Sequence, residues 1–280
     1  MALDKLVDSA QLDSDLEDIA DAIRAKSGGS DTLAFPSGFI SEIGNIPSGG
    51  ATITDGIVFT DFNSDGTVKE ADFHGAVVKK GSLGYFGYYG TSPALVHFVD
   101  KPTYLEESAL NRAFISVDIS TLESVEDCGS AAFSVSVNSA NDLRAESLVL
   151  PSFTGARKIG SRFRGANAPN DAYYYGTIIL PKVQKIGSYD FYQTRVSNAV
   201  FQLGSVGFPV TECDQRPFGG STGSGTITVY TTGALLDTIK TAIQNSAGSN
   251  YTFIYKASEA TTYGGNSYAA GDTMLTVGGA

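Results

Sequence analysis

Tryptophan is absent from this chain of 280 residues, and cysteine, methionine and histidine occur only twice each. Two cysteines cannot form a disulfide framework, and there is no Cys-x-x-Cys pair to hold zinc. Cys128 and Cys213 are therefore predicted to be buried free thiols. No apolar run approaches the roughly 20 residues that cross a bilayer, so membrane insertion is not expected.

Basic residues are also scarce. The chain has 19 Lys and Arg against 30 Asp and Glu, which gives a net charge of −11. An acidic surface repels a phosphate backbone, so nucleic acid is not an expected partner. The first residues, MALDKLVDSAQ, lack the basic and apolar regions of a signal peptide, which predicts synthesis in the host cytoplasm without a signal peptide.

Little in the sequence indicates catalysis. Residues 219–223 fit Gly-x-Ser-x-Gly, but they lie in a Gly/Ser-rich stretch with no helix predicted directly after it. His74 and His97 have no metal-binding spacing, and no phosphate-binding Gly-rich loop occurs. Acidic residues are plentiful, so a glycosidase carboxylate pair is not excluded, but no spacing singles one out. We therefore predict no enzyme, no metal and no cofactor.

Glycine and aromatic residues are abundant, with 32 Gly, 14 Tyr and 16 Phe, and this composition suits a turn-rich β protein. Only residues 1–48 look helical. Ser14 and Glu17 form a capping box, and Gly28 is expected to end the helix. One helix face is predicted to carry four apolar residues: Leu16, Ile19, Ala20 and Ile23. A second short helix is predicted to start at Pro36 and to bury three residues: Phe39, Ile40 and Ile43.

Residues 49–75 allow two interpretations. Four residues have the spacing of an EF-hand calcium loop: Asp61, Asn63, Asp65 and Asp72. The flanking segments are β-branched, however, and Lys69 would put a positive charge inside the loop. The runs IVFTDF and TVKEADF, joined by Asn-Ser-Asp-Gly, favour a β-hairpin.

Residues 76–257 contain a degenerate repeat. Two good copies run from 148 to 163 and from 178 to 191, and each has a β run closed by Pro, then Lys-Ile-Gly-Ser, then Phe. With looser copies, Phe recurs at steps of 19, 30, 28 and 27 residues, at Phe114, Phe133, Phe163, Phe191 and Phe218. Most of these steps match one coil of a solenoid.

Stacking of coils explains this pattern, because a strand of a few residues cannot bury its apolar side alone. One buried ladder is expected to contain Leu148, Leu150, Ile178 and Leu180. The centre is expected to be filled by Ile159, Ile186 and the phenylalanines. Residues 258–280, rich in Gly and Tyr, are predicted to be either a mobile end or a short strand pair.

The unit Pro…Ile-Gly-Ser…Phe resembles the irregular leucine-rich repeats of the BspA type over roughly residues 105–257. Residues 226–243 resemble the strand and helix that close such arrays, so a helix over 234–244 is expected to cap the core. The stretch LEDIADAIRAKSGGSDTLAFPSGFISEIGNI is similar to the head segment of tail-fibre and other appendage proteins of phages and prophages of Gram-positive and gut bacteria. The insert GANAPNDAYYYG between two repeats departs from that pattern.

The resemblance implies an α+β chain that is mostly β. Residues 1–48 would form a small helical attachment and oligomerisation head, and residues 49–75 a β-hairpin connector. Residues 76–257 would form an irregular leucine-rich-repeat solenoid with a C-terminal strand-helix cap. Residues 258–280 would be a C-terminal tail.

The resemblance also implies a function. The chain would be a tail appendage of a phage virion, or be derived from one, as a fibre or receptor-binding protein that forms a homotrimer. Its head would bind other tail or baseplate proteins, and its solenoid a glycan or protein of the bacterial surface. The alternatives are a structural virion component such as a head fibre or baseplate part, a cellular BspA-like adhesin, and a depolymerase.

Two tyrosine clusters are the candidate ligand-binding residues. Tyrosine offers a large amphipathic contact area at low entropic cost, and its Gly, Ser and Asn neighbours adapt their hydrogen bonds. The clusters are Tyr85, Tyr88 and Tyr89, and Tyr173, Tyr174 and Tyr175. The alternative for both is that these side chains pack on the next coil.

Overall fold

The computed structural model describes residues 9–27, 32–39, 56–64, 66–80, 94–110, 117–133, 147–163, 176–192, 198–221, 223–244 and 250–278. These residues form a mostly β chain with few helices, arranged as a β-solenoid of about five turns. The predicted solenoid is therefore confirmed. Helix α1 spans Ser9–Ser27, and helix α2 spans Gly233–Gln244.

Main strands lie on one side of the solenoid, and short side strands lie on the other. The main strands are β2 (Val68–Phe73), β4 (Ala94–Phe98), β6 (Val117–Asp118), β8 (Ser147–Val149), β9 (Thr177–Leu180), β11 (Ala199–Leu203), β13 (Gly225–Thr231) and β14 (Tyr251–Ala257). The side strands are β3 (Val77–Val78), β5 (Tyr104–Leu105), β7 (Asp127–Cys128), β10 (Lys185–Ile186) and β12 (Glu212–Cys213). Strands of this length need the stack in order to bury an apolar side.

The main strands form two sheets together with β1 (Ile57–Phe62) and β17 (Thr273–Val277), in the orders β1-β2-β4-β6 and β17-β14-β13-β11-β9-β8. All pairings between main strands are parallel, whereas β1 and β17 close the outer edges in antiparallel orientation. Both edge pairings contain irregularities in register. Such irregularities discourage edge-to-edge association with other sheets. The remaining strands, β15 (Thr261–Tyr263) and β16 (Asn266–Tyr268), form an antiparallel pair.

A column of backbone hydrogen bonds joins successive coils just before the side strands. Each amide donates to the carbonyl of the preceding coil over N–O distances of 2.9–3.1 Å. The column runs through Ala76, Thr103, Glu126, Thr154, Gln184 and Thr211. It continues through the coil of Thr154, where the structure assigns no side strand, and so links the two groups of side strands.

In five successive coils the described turn after the side-strand position has a residue in the left-handed conformation. Five such residues, with φ of 53–64°, recur from coil to coil: Ser108, Ala131, Ser161, Tyr189 and Arg216. A buried apolar residue follows each of them two positions later: Leu110, Phe133, Phe163, Phe191 and Phe218. The first of these is Leu110 and not the predicted Phe114, which lies outside the described residues.

The four phenylalanines form a continuous stack through the core. The ring centroids of Phe133 and Phe163 are 4.9 Å apart, those of Phe163 and Phe191 5.1 Å, and those of Phe191 and Phe218 4.8 Å. The planes of neighbouring rings are within 15° of parallel. Stacked rings of this kind contribute about 0.5–1.5 kcal/mol per pair beyond their buried area.

The predicted ladder of Leu148, Leu150, Ile178 and Leu180 is buried, but as two columns and not one. Side chains alternate along a strand, and residues two apart therefore share a side without sharing a column. One column contains Leu148, Ile178, Phe201, Ile227 and Phe253. The other contains Leu150, Leu180, Leu203, Val229 and Tyr255. Ile186 is buried as expected, whereas Ile159 is only partly buried.

The head differs from its prediction in two respects. Helix α1 begins at Ser9, so Ser14 lies inside the helix and is not its N-cap. Ile19 is 50% exposed, because Phe39 and Leu33 cover only the part of the helix that carries Leu16, Ala20 and Ile23. The predicted second helix is present at 37–39, directly after Pro36, and Phe39 is buried as predicted, while Ile40 and Ile43 lie outside the described residues.

The segment with EF-hand spacing forms the antiparallel hairpin of β1 and β2. The Nζ atom of Lys69 lies 2.5 Å from Oδ2 of Asp61. This ion pair engages the carboxylate that a calcium ion would need. The Nδ2 atom of Asn63 donates to Oγ1 of Thr67 across the turn at 2.9 Å. Strand β2 also pairs in parallel with β4, so the hairpin shares a sheet with the coils.

We expect Phe163→Ala to lower the free energy of unfolding by about 3–5 kcal/mol, because it removes a buried ring that contacts two stacked neighbours. Chemical denaturation of the full chain measures this. Val200→Thr, at a position 49% exposed on a main strand, is the control and should change stability by no more than about 0.5 kcal/mol. A similar small effect at Phe163 would mean that the stack does not hold the coils together.

Candidate binding surface

All six tyrosines predicted to bind a ligand lie outside the described residues: Tyr85, Tyr88, Tyr89, Tyr173, Tyr174 and Tyr175. Their role stays a prediction. The described chain resumes at Ala94, the first residue of β4, and at Gly176, directly before β9. Both points lie at the N-terminal end of a main strand, so parallel stacking places them along the same side of the solenoid.

The larger main sheet presents an outer surface that sequence reasoning missed. Main strands alternate between buried and solvent-facing residues, and we call the solvent-facing set of five strands the outer surface. It consists of Ser147, Val149, Thr177, Ile179, Val200, Gln202, Thr226, Thr228, Tyr230, Thr252, Ile254 and Lys256. The alternation of Thr, Val and Ile in these strands was its only signal in the sequence.

Aligned registers place like residues in rows across this surface. One row runs through Ser147, Thr177, Val200, Thr226 and Thr252, four of which carry a hydroxyl group. Neighbouring strands lie about 4.8 Å apart, so the residues of this row recur at that spacing, with Val200 between the hydroxyl groups of Thr177 and Thr226. Val149 and Val200 are 46% and 49% exposed, and Lys256 is the only charged residue in the set. The surface is therefore regular, largely uncharged and partly apolar.

Charge is concentrated on the opposite side, along the side strands, where it is paired. Lys158 Nζ lies 2.8 Å from Asp214 Oδ1, and Lys185 Nζ lies 3.3 Å from Glu212 Oε1. Arg157 Nε lies 3.3 Å from Asp127 Oδ2, and its guanidinium carbon lies 4.2 Å from the centre of the Tyr104 ring. These pairs satisfy one another between coils. The outer surface differs from the side strands because it exposes apolar residues and carries hardly any charge.

At the end of the outer surface two lysines lie over two aromatic rings. Lys182 Nζ is 5.5 Å from the ring centre of Phe208, and Lys256 Nζ is 5.9 Å from that of Tyr230. Gly204, with φ of 77°, lies against the backbone of both aromatic residues. A Cβ there would lie 2.7 Å from the Phe208 carbonyl oxygen and 3.3 Å from the Tyr230 Cβ. We call Lys182, Phe208, Tyr230 and Lys256 the aromatic–lysine corner.

The residues considered for catalysis are engaged in other contacts. Ser221 of the Gly-x-Ser-x-Gly segment is buried, and its hydroxyl donates to the Phe191 carbonyl at 3.1 Å. His97 Nε2 lies 3.5 Å from Glu70 Oε2, and His74 Nδ1 lies 3.8 Å from Asp100 Oδ1. Among the described residues no group of His, Cys, Asp and Glu side chains is arranged to hold a metal ion.

A buried ion pair lies in the core between two coils. The Arg162 side chain is fully buried, and its Nη1 lies 3.8 Å from Asp190 Oδ2. Nη1 also donates to the Lys185 carbonyl at 3.1 Å, and Nη2 to the Gly155 carbonyl at 3.4 Å. The Asp190 carboxylate accepts from the amides of Arg162 and Gly187, at 3.0 and 2.7 Å. A Cβ on Gly155 would overlap the guanidinium, so glycine is needed there.

Burial dominates the titration of these internal groups. It raises the pKa of Asp190 to about 6, despite the opposing effects of Arg162 and the two amides. Burial also raises the pKa of Cys213 to about 12, and that of Cys128 well above its ordinary value. Both cysteines are free, as predicted, but Cys213 is only partly buried. Thiols held in their protonated form are poor nucleophiles, so neither is poised for reaction.

Comparisons of the chain with known protein families, with curated proteins and with solved structures find no match. Within the described residues no helix is long and apolar enough to cross a membrane. The outer surface and its aromatic–lysine corner are therefore interpreted from their own geometry.

We expect the Asp190 carboxyl to make stability depend on pH. Its pKa is higher in the native state than in the unfolded chain, so the native state binds the proton more tightly and loses stability as pH rises from about 4 to about 6. Relative to Asp190→Asn, the wild type should lose about 2–3 kcal/mol over this range. Urea unfolding of both proteins at pH 4.5 and pH 7 measures it.

Asp237→Asn is the control for this experiment. Its carboxyl is exposed, and the hydrogen bond from Lys240 lowers its pKa, so the difference from wild type should not fall as pH rises. A difference between wild type and Asp190→Asn that is constant or grows with pH would contradict the assignment to Asp190.

Proposed function

We propose that this chain is a phage or phage-derived tail appendage that recognises a receptor on the bacterial surface, with the outer surface as its contact region. The observation that carries the proposal is the contrast between the two sides of the solenoid. The side strands pair their charges with one another, whereas the outer surface exposes Val149 and Val200 with hardly any charge. Exposed apolar patches on soluble proteins typically mark interaction sites.

The rigidity of the stack supports a binding role. The backbone column and the phenylalanine stack connect successive coils, so the rows on the outer surface keep a fixed spacing. A surface held in place before contact loses little conformational entropy on binding. The resemblance of the head segment to phage appendages supports the location in a virion.

The head is proposed to assemble the homotrimer. Leu12, Leu16, Ile19 and Ile23 follow the 4-3-4 spacing of a coiled-coil seam on α1. Leu16 and Ile23 contact the cluster around Phe39, whereas Leu12 and Ile19 remain 46% and 50% exposed. Neighbouring copies of α1 are proposed to cover these two side chains. The same head is proposed to attach to other tail or baseplate proteins.

The finer assignment of the solenoid is also a proposal. The coils are proposed to be irregular leucine-rich repeats of the BspA type, with α2 as their cap. Support for the cap comes from the contact of α2 with β12 and β15, and from its four buried residues: Leu236, Ile239, Ala242 and Ile243. A terminal cap keeps the end of a stacked core from water.

Binding of the labelled full chain to a panel of Gram-positive and gut bacteria, followed by flow cytometry, tests receptor recognition. We expect saturable binding to some strains and a loss of about tenfold or more with Val200→Glu, because the substitution places a charge in the contact region. Val99→Glu is the control, since Val99 is 48% exposed but lies outside the outer surface. No binding to any strain would favour the structural virion component instead.

Light scattering of the full chain tests the trimer. We expect three times the mass of one chain for the wild type, and one chain for Leu12→Gln combined with Ile19→Gln. Both side chains are about half exposed in the single chain, so the substitutions should leave the solenoid folded, which thermal unfolding checks. Asp13→Asn on the same helix is the control and should remain trimeric. A monomeric wild type would contradict the proposal.

A further inference from the structure

We infer that the aromatic–lysine corner binds an acidic saccharide, with the rings against the sugar and the lysines at its carboxylate. The inference deepens the proposed function and rests on it, because it names the chemical class of the receptor. Its starting point is the unusual position of Lys182 and Lys256, which lie in a chain of net charge −11 at the edge of a nearly uncharged surface.

Neither lysine has an ion-pair partner among the described residues, whereas Lys69, Lys158, Lys185 and Lys240 each contact a carboxylate. Lys182 and Lys256 instead lie over the rings of Phe208 and Tyr230. A lysine over an aromatic ring keeps its charge available to a ligand, because the ring attracts it only weakly. This corner therefore offers two positive charges that no described carboxylate neutralises.

The rings supply the second part of the site. Phe208 is 39% exposed, and Tyr230 faces outward from β13 in register with Lys256. A pyranose has apolar C–H faces and polar edges, and an aromatic side chain offers a matching flat apolar area. Sugars with a carboxylate fit this pairing of rings and ammonium groups, whereas a bare anion would leave the rings unused.

The backbone around the corner is held in place. The amide of Ser205 donates to the Phe208 carbonyl at 3.0 Å, and the Phe208 amide donates back to Ser205 at 3.0 Å. The Ser205 hydroxyl donates to the Pro181 carbonyl at 2.7 Å, and the Gly207 amide to that of Ser258 at 2.8 Å. Two other parts of the stack, at Pro181 and Ser258, thus hold the loop that carries Phe208. A site ordered in advance loses little entropy when a ligand binds.

Calorimetric titration of the full chain with an oligogalacturonate tests the inference. We expect saturable binding that weakens by about tenfold with Lys182→Gln or Lys256→Gln, the effect of losing one charge-assisted hydrogen bond. Tyr230→Val, which keeps a β-branched residue in the strand, should weaken it by about tenfold or more. Lys80→Gln is the matched control, because Lys80 is exposed and its contact with the Glu106 carboxylate at 3.1 Å is made by the backbone amide, which the substitution keeps; this variant should bind like the wild type.

Two further ligands distinguish the chemistry, and melting temperatures establish that each variant is folded. Maltohexaose has no charge and should bind at least tenfold more weakly than the oligogalacturonate. Inorganic polyphosphate has no sugar and should not respond to Tyr230→Val. Equal binding of maltohexaose, or equal binding of polyphosphate with the same dependence on all three residues, would overturn the acidic saccharide.

The failure of this inference and that of the proposed function give different results. One result would be that the chain binds bacteria but not oligogalacturonate, and that the lysine substitutions do not change its binding to bacteria. The corner is then not the receptor site, and the proposed function stands. If the chain binds oligogalacturonate through these residues but no bacterium, the saccharide site stands and the appendage role falls.

Discussion

The structure depends on the stacking of one ring on the next, from Phe133 to Phe218, in the same position of each coil. A main strand of two to seven residues and a side strand of two make few hydrogen bonds each. Adjacent coils share one register, in which a left-handed turn residue lies two positions before each ring, as at Ser161 and Tyr189. A shift of one residue would turn inward-facing side chains to the solvent and break the stack.

That register also determines the two outer sides of the molecule. Parallel pairing brings equivalent residues of successive coils next to each other, so charges repeat along the side strands and hydroxyl groups repeat along the main strands. Opposite charges lie next to each other in successive coils, as with Lys185 and Glu212. Such exposed ion pairs contribute little to the free energy of folding, but each charge of the pair has a partner. The largely uncharged outer surface is left available for contact with a partner.

The buried pair of Arg162 and Asp190 is the exception to an apolar core. Burying two charges costs more than their attraction returns unless hydrogen bonds complete the arrangement. Two carbonyls and two amides do so here, although Nε of Arg162 contacts no described acceptor. The Arg162 guanidinium fits only because Gly155 has no side chain. The position of Gly155 beside the ion pair therefore requires a fixed register between the two coils.

The sequence by itself determined the class of fold, because the repeat of Pro, Ile-Gly-Ser and Phe and the Asp-Gly hairpin are local patterns. Local patterns do not say which residues share a column, so Leu110 and the division of the leucines into two columns followed only from pairing between coils. Exposure of Ile19 was likewise decided by what Phe39 and Leu33 cover. The aromatic–lysine corner joins Lys182, Phe208, Tyr230 and Lys256, which are far apart in sequence, and only the stacking of parallel strands brings them together.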